Sequence, residues 1–201
     1  NVKKWEPLKA EINVNKDALM WAVNGHDDRS VAFAARLMER GVEVRIIDKD
    51  ALLSEQPLPR GSVVVIGMDN PDYQDLSSVI SSVASGLDLS VVSISSGFGA
   101  EELPDWGGRH FRLLERPQIA LMAHQDFSSY DVGVSWWSLD HHLGIRHSMV
   151  NGSSLNYGDL RRYNTIIMPS GYQNLSNSEI NSLKEWIRQG GTLIAHNASS
   201  R

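Results

Sequence analysis

The sequence predicts an α/β protein built of two halves with mainly parallel sheets, and three observations carry that expectation. Thr165-Ile166-Ile167-Met168 and Thr192-Leu193-Ile194-Ala195 are short apolar runs of the kind that strands buried on both faces show. Helical stretches with one apolar stripe alternate with such runs along the chain. Asn164–Ser200 joins two of the runs through a helix whose boundaries are all marked, and a strand–helix–strand crossover makes a parallel pair.

Residues 1–16 are polar and weakly patterned, a lead-in that packs, if anywhere, through Trp5. Ala18–Val23 is the first strand, closed by Asn24-Gly25. Asp27 or Asp28 then caps a helix in which Val31, Ala34, Ala35 and Met38 share a face. Gly41 ends it, and Val42–Ile47 is the second strand. A loop containing Pro57 and Pro59 leads into a strand over Ser62–Ile66. Asp75 opens a helix with Leu76, Val79, Ile80 and Val83 inward, and Leu89–Ile94 follows as a strand. The first half therefore reads β-α-β-β-α-β.

Residues 95–116 break the periodicity with Gly97, Gly99, Pro104, Gly107 and Gly108, which places a domain boundary at Pro117. The expected domains are 1–116, with its lead-in, and 117–201. Gln118–Ala123 restarts the pattern. Asp131 opens a helix carrying Val134, Trp137 and Leu143 inward, so that of Trp136-Trp137 one is core and one faces outward or into an interface. Gly144 ends this helix, Ile145–Val150 is a strand, and Asn151–Arg162 is a connector with a short helical turn.

In the closing unit, Ser176 and Glu179 form a capping box, and Leu175 and Ile180 are placed for a hydrophobic staple. Ile180, Leu183 and Ile187 make the stripe, and Gly190-Gly191 supplies the C-terminal stop. Both halves are expected to be Rossmann- or flavodoxin-like. Asn1 is not a Met, and Ala198–Arg201 stops where a further helix is expected, so the chain reads as a processed or excised piece of something longer.

Composition narrows the function. The chain of 201 residues is 41% hydrophobic and 21% charged, as in ordinary globular proteins. Its net charge of −5 argues against nucleic acid and anionic membrane as partners. No apolar run approaches the roughly 20 residues of a membrane span. With no cysteine, disulfides, thiolate metal sites and cysteine nucleophiles are all excluded.

The candidate site lies beyond the carboxyl ends of the strands, where open α/β sheets bind ligands. His124, Gln125 and Asp126 follow one strand, Ser170 and Tyr172 another, and His196 and Asn197 the last. One reading is a small polar pocket with His124 or His196 as acid or base. The other is that these residues satisfy loop backbone groups, and it is favoured because no third residue orients either imidazole.

The remaining chemical candidates are weak. His141 and His142 are adjacent in a helix, so their side chains diverge by about 100° and ill suit one metal ion. No His-x-x-Glu-His or His-Glu-x-x-His string occurs, and no catalytic or metal-ligating residue is assigned. Ser170 and Ser199-Ser200 lack the Gly-x-Ser-x-Gly elbow. Gly97-x-Gly99 is followed by Glu101-Glu102, which would repel phosphate.

Two resemblances add to this reading. The second half, from RPQIALMAHQ through NTIIMPSGY to GGTLIAHNAS, resembles the class I glutamine amidotransferase-like fold, with His196 at about the place of that family's cysteine. Glutaminase chemistry is therefore not implied. The order of ALMWAVNGHDDRSVAFAARLMERGVEV, PLPRGSVVVIG, FRLLERPQIALM and GGTLIAHN is similar to the region that follows the catalytic domain in some large bacterial zinc carboxypeptidases of the carboxypeptidase A type. These carry an amidotransferase-like accessory domain. The likeness implies an accessory fragment of an exported (periplasmic or extracellular) metallopeptidase. Zinc would belong to the parent's peptidase domain, which would be this chain's partner, and the zinc ligands have no counterparts here.

The alternative is a small-molecule-binding or hydrolytic domain using the edge around His124 and His196. A stand-alone regulatory domain of response-regulator or flavodoxin type is disfavoured, since no acidic cluster follows the first strand and no phosphate loop appears.

Overall fold

The computed structural model describes residues 9–100, 102–124, 127–152, 154–171 and 175–200. It divides into two compact units, Asn1–Glu115 and Arg116–Arg201.

In the first unit, strand β1 (Met20–Val23) is buried along its whole length, and helix α1 (Arg29–Glu39) follows. The Asp27 carboxylate accepts the Arg29 backbone N–H and pairs with the Arg29 guanidinium at 2.6 Å. Phe33 and Leu37 centre the buried face, which leaves Val31 exposed rather than inward as expected. Gly41, at φ +87°, ends the helix, and Val42 N–H reaches back to the Leu37 carbonyl.

Strand β2 (Arg45–Ile47) comes next. The expected Pro-bearing loop is in fact a hairpin of β3 (Ala51–Leu53) and β4 (Gln56–Leu58). Its turn residues Ser54 and Glu55 both have positive φ, the geometry that matches strand twist in a two-residue loop. Strand β5 (Val63–Ile66), helix α2 (Leu76–Leu87) and strand β6 (Val92–Ile94) follow, so that with the hairpin set aside the order is the expected β-α-β-β-α-β. The Asp75 carboxylate accepts the Ser78 N–H as the cap of α2. Strand β7 (Phe111–Leu113), inside the segment read as irregular, adds one edge.

The sheet order is β6-β1-β5-β2-β7, and every neighbouring pair is antiparallel. This corrects the expected parallel sheet. The crossovers through α1 and α2 do join parallel strands, β1 with β2 and β5 with β6. The two crossovers interleave, however, so that each strand lies beside one running the other way, as in a split β-α-β arrangement. One core lies between this sheet and the two helices, with Trp21, Val63 and Val65 against Phe33, Leu37 and Ile80. A second lies on the opposite face, where Met20, Val64 and Ile66 meet Leu53 and Leu58 of the hairpin.

The second unit contains strand β8 (Ile119–Met122), helix α3 (Ser129–Trp137) and a π-helical turn over Ser138–Leu143 ended by Gly144 at φ +70°. Strand β9 (His147–Val150), helix α4 (Ser154–Tyr157), strand β10 (Thr165–Met168), helix α5 (Asn177–Arg188) and strand β11 (Thr192–Ala195) follow. The sheet order is β11-β10-β8-β9, and all three pairings are parallel. Asn164 ties strand origins together: its carboxamide accepts the Gln118 N–H and donates to the Arg116 carbonyl.

The capping box of α5 is present, with Ser176 N–H on Glu179 Oε2 at 2.7 Å and Glu179 N–H on Ser176 Oγ at 3.3 Å. Its inward residues are Leu183 and Trp186; Ile187, expected inward, is exposed. An indole buries more area than an isoleucine side chain, and its N–H finds the carbonyls of Leu160 and Tyr163. Helix α3 also differs from expectation. Ser128, not Asp131, caps it, Ser135 is buried, and Val134, Trp136 and Trp137 are exposed. Leu139, in the π-helical turn, takes the inward position instead.

Candidate functional site

Because β8, β10 and β11 are parallel neighbours, their carboxyl ends share one edge. The chain leaves β8 for β9 on one side and returns to β10 on the other, so β8 and β10 flank the point where the winding direction reverses. Ligands in open α/β sheets bind at such a point.

Here the two flanking loops are tied together. Phe127 bridges to Gly171, and the Ser128 N–H donates to the Ser170 carbonyl at 2.8 Å. Phe127 is buried, and its N–H donates to the His124 carbonyl. The loop after β11 is tied to β10 as well. His196 N–H donates to the Met168 carbonyl at 3.0 Å, and Ser199 Oγ donates to the Pro169 carbonyl at 2.6 Å.

His124 is exposed, His196 half-buried and Asn197 exposed. His124 lines an open depression of about 360 Å³ with Phe127, Ser129, Val132, Gly133, Trp136 and Met149, and His196 does not line it. The Ser170 backbone is used in the tie, and its side chain is half-buried. Gln125, Asp126 and Tyr172 lie outside the described residues.

Asn197 carries a feature that the sequence did not signal. Its φ is +47°, a left-handed conformation at the strand-to-helix turn. That is the backbone geometry in which elbow folds present a nucleophile, and asparagine tolerates it better than most residues. The strained position is thus one residue beyond His196. Its carboxamide neither ionises nor attacks.

Elsewhere, a cavity of about 160 Å³ lies on the sheet face under the connector, between Ala120, Met122, Val150 and Ile166 and the side chains of Leu155, Leu160 and Tyr163. Asp159 and Arg162 stand at its rim, with Arg162 Cζ 6.0 Å from the centre of the Tyr163 ring. A reading focused on the loops beyond the strand ends does not find it, since its walls come from residues within the strands and from an irregular connector.

Other motifs have structural uses. Side chains on Gly97 and Gly99 would collide with Trp106 and with the Leu103 carbonyl, so these glycines admit close packing. His141 sets its ring edge-on to Trp137 at 5.6 Å. Among the described residues, no group of three or more His, Asp or Glu is placed to hold a metal ion. The described residues also contain no helix long and apolar enough to cross a membrane. Comparison of the chain with protein families, with curated proteins and with solved structures gave no match.

Proposed function

We propose that the chain is a non-catalytic accessory part of an exported zinc carboxypeptidase, which packs against the peptidase domain or positions substrate for it. The observation that carries the non-catalytic reading is the turn after β11. Its left-handed residue is Asn197, and the nearby Ser199 hydroxyl is committed to the Pro169 carbonyl. An acyl-transfer site needs a nucleophile at hydrogen-bond distance from a base that a third group orients. At this edge the Ser199 hydroxyl and the backbone N–H groups of Ser128 and His196 join the strand ends instead.

The peptidase parent is supported by the order of sequence motifs along nearly the whole chain. Within this proposal the second unit is flavodoxin-like in winding and descends from an amidotransferase-like scaffold, supported by its strand order and by the elbow at Asn197. Zinc belongs to the peptidase domain, and no residue of this chain is assigned to it.

The test has two arms. The 201-residue chain is assayed with glutamine, simple esters and C-terminally blocked and free peptides, with and without zinc; no turnover is expected. The coding sequence flanking these residues is then read for a paired His/Glu zinc motif. Hydrolysis by the chain itself, lost in His196→Ala while thermal stability is kept, would favour the pocket around His124 and His196 over the accessory role. A flanking sequence without any peptidase motif would remove the parent assignment.

A further inference from the structure

Helix α3 turns its apolar surface to water. Tyr130 is 86% exposed, Val134 67%, Trp136 42% and Trp137 52%, while Ser135 is buried. Beside the helix Met149 is 56% exposed and shares an open depression with Phe127, Val132, Gly133 and Trp136. Tyr130, Gly133, Val134 and Trp137 follow the i, i+3, i+4, i+7 spacing of one helical stripe, the pattern that ordinarily faces a core. A continuous exposed patch of this kind marks an interaction site.

We propose that the stripe is a self-association surface, packing against the same stripe of a second copy with the two α3 helices antiparallel about a two-fold axis. A two-fold interface must be self-complementary: if residue i meets j, then j meets i. An axis passing between Gly133 and Val134 satisfies this. It sets Tyr130 of each copy opposite Trp137 of the other, an aromatic pair at both ends, and Gly133 opposite Val134 in the middle. A Cβ placed on Gly133 meets nothing within 4 Å, so the helix backbone lies open to a close neighbour there.

Area agrees with a second copy as the occupant, and charge does not oppose it at the stripe itself. The chain carries a net charge of −5, so two copies repel in general. The four stripe residues are uncharged, and docking through them brings no like charges face to face. The exposed parts of Tyr130, Val134, Trp136, Trp137 and Met149 come to roughly 600 Å² per copy, hence roughly 1,200 Å² for the pair. That is the lower end of specific interfaces, which predicts a weak, concentration-dependent dimer. This inference is independent of the accessory role and stands or falls separately.

Sedimentation velocity on the 201-residue chain, over a series reaching the high-micromolar range, tests it. The weight-average sedimentation coefficient is expected to climb from the monomer value toward the dimer value. Trp137→Ser should weaken self-association by about tenfold or more. Gly133→Lys, which has open space in the monomer, should abolish it without lowering the melting temperature, and Ile187→Ser on α5 should leave it unchanged. A chain that stays monomeric throughout, or a dimer that survives Gly133→Lys, overturns the proposal.

Discussion

Gly191→Ala should destabilise the second unit, and the structure says by how much and through which contact. A Cβ at Gly191 would lie 2.4 Å from Cδ2 and Cε2 of Trp186 and 2.6 Å from Cε3. Optimal carbon–carbon contact is about 3.5–4.0 Å, so the overlap exceeds an ångström. The indole has little freedom to move away, because it is buried and its Nε1–H donates to the Leu160 and Tyr163 carbonyls at 3.1 Å each.

Overpacking of this kind costs about 1–3 kcal/mol. For a unit of this size that is a fall in melting temperature of roughly 5–20 °C. Trp186→Leu costs a similar or larger amount alone, through lost packing and loss of the indole N–H from the Tyr163 carbonyl, the Leu160 carbonyl keeping the Tyr163 N–H. In that background Gly191→Ala should be close to neutral, giving a coupling energy of about 1–3 kcal/mol. The four proteins of the cycle are compared by guanidinium unfolding followed by far-UV circular dichroism. If the two substitutions add to within about 0.5 kcal/mol, the contact does not hold α5 in place and the reasoning fails.

Three further outcomes follow from local geometry. Replacing Glu55, at φ +63°, by Gly should raise the stability of the first unit by about 0.5–1 kcal/mol in chemical unfolding, while Ser54 is kept because its hydroxyl accepts the Ser96 N–H. Asn197→Gly should leave stability almost unchanged, whereas Asn197→Val should cost about 1–2 kcal/mol by forcing a β-branched residue into a left-handed conformation, as thermal unfolding would register. Hydrogen bonds from the Ser78 hydroxyl, then the Ser77 hydroxyl and the Ser78 N–H, hold the Asp75 carboxyl down at about 2, below its ordinary 3.8. A depressed carboxylate stabilises the fold above the ordinary value, and that contribution is lost as pH falls toward about 2; acid titration of Asp75→Asn should lack this step.

The second sheet was legible because every connection between its successive strands is a crossover, so all four run the same way. Thr165–Met168 lies between two parallel neighbours and is buried from Ile166 onward, as its apolar run reports; Thr192–Ala195, expected to be buried as well, is the edge strand, with Thr192 and Ile194 exposed, because only one side of it is paired. The first sheet shows the same alternation in sequence, yet its strands are interleaved. Periodicity tells that β1 is buried; it does not tell whether β2 or β5 lies beside it, and only β5 does. Helix faces failed where a larger apolar residue nearby on the helix competes for the core. Trp186 displaced Ile187, and Phe33 and Leu37 turned Val31 outward, in each case through the larger side chain taking the core. In α3 the competition went the other way. Leu139 and Ser135 face inward and both tryptophans face out, which no rule of amphipathic phase foresees unless the helix has a second apolar neighbour.

The strand-end edge shared by β8, β10 and β11 was legible in the sequence and the conformation of its turns was not, for a reason rooted in backbone physics. A strand that must turn at once into a helical segment needs a residue with positive φ, and the fold imposes that need whether or not the turn is reactive. Sequence shows which residues end the strand, here Ala195-His196-Asn197, but several register choices are compatible with those letters. The coordinates place the left-handed residue at Asn197 and use His196 N–H to extend the pairing with Met168. What separates an active elbow from an inert one is then the side chain held at that position and the fate of the hydroxyls around it. In this chain the Ser199 hydroxyl binds the Pro169 carbonyl and the Ser128 N–H binds the Ser170 carbonyl, so polar groups that another sequence could aim at a substrate bind the strand ends to each other. An edge stitched in this way gains rigidity from groups that would otherwise be free to meet a ligand, so its polar content by itself does not mark it as reactive.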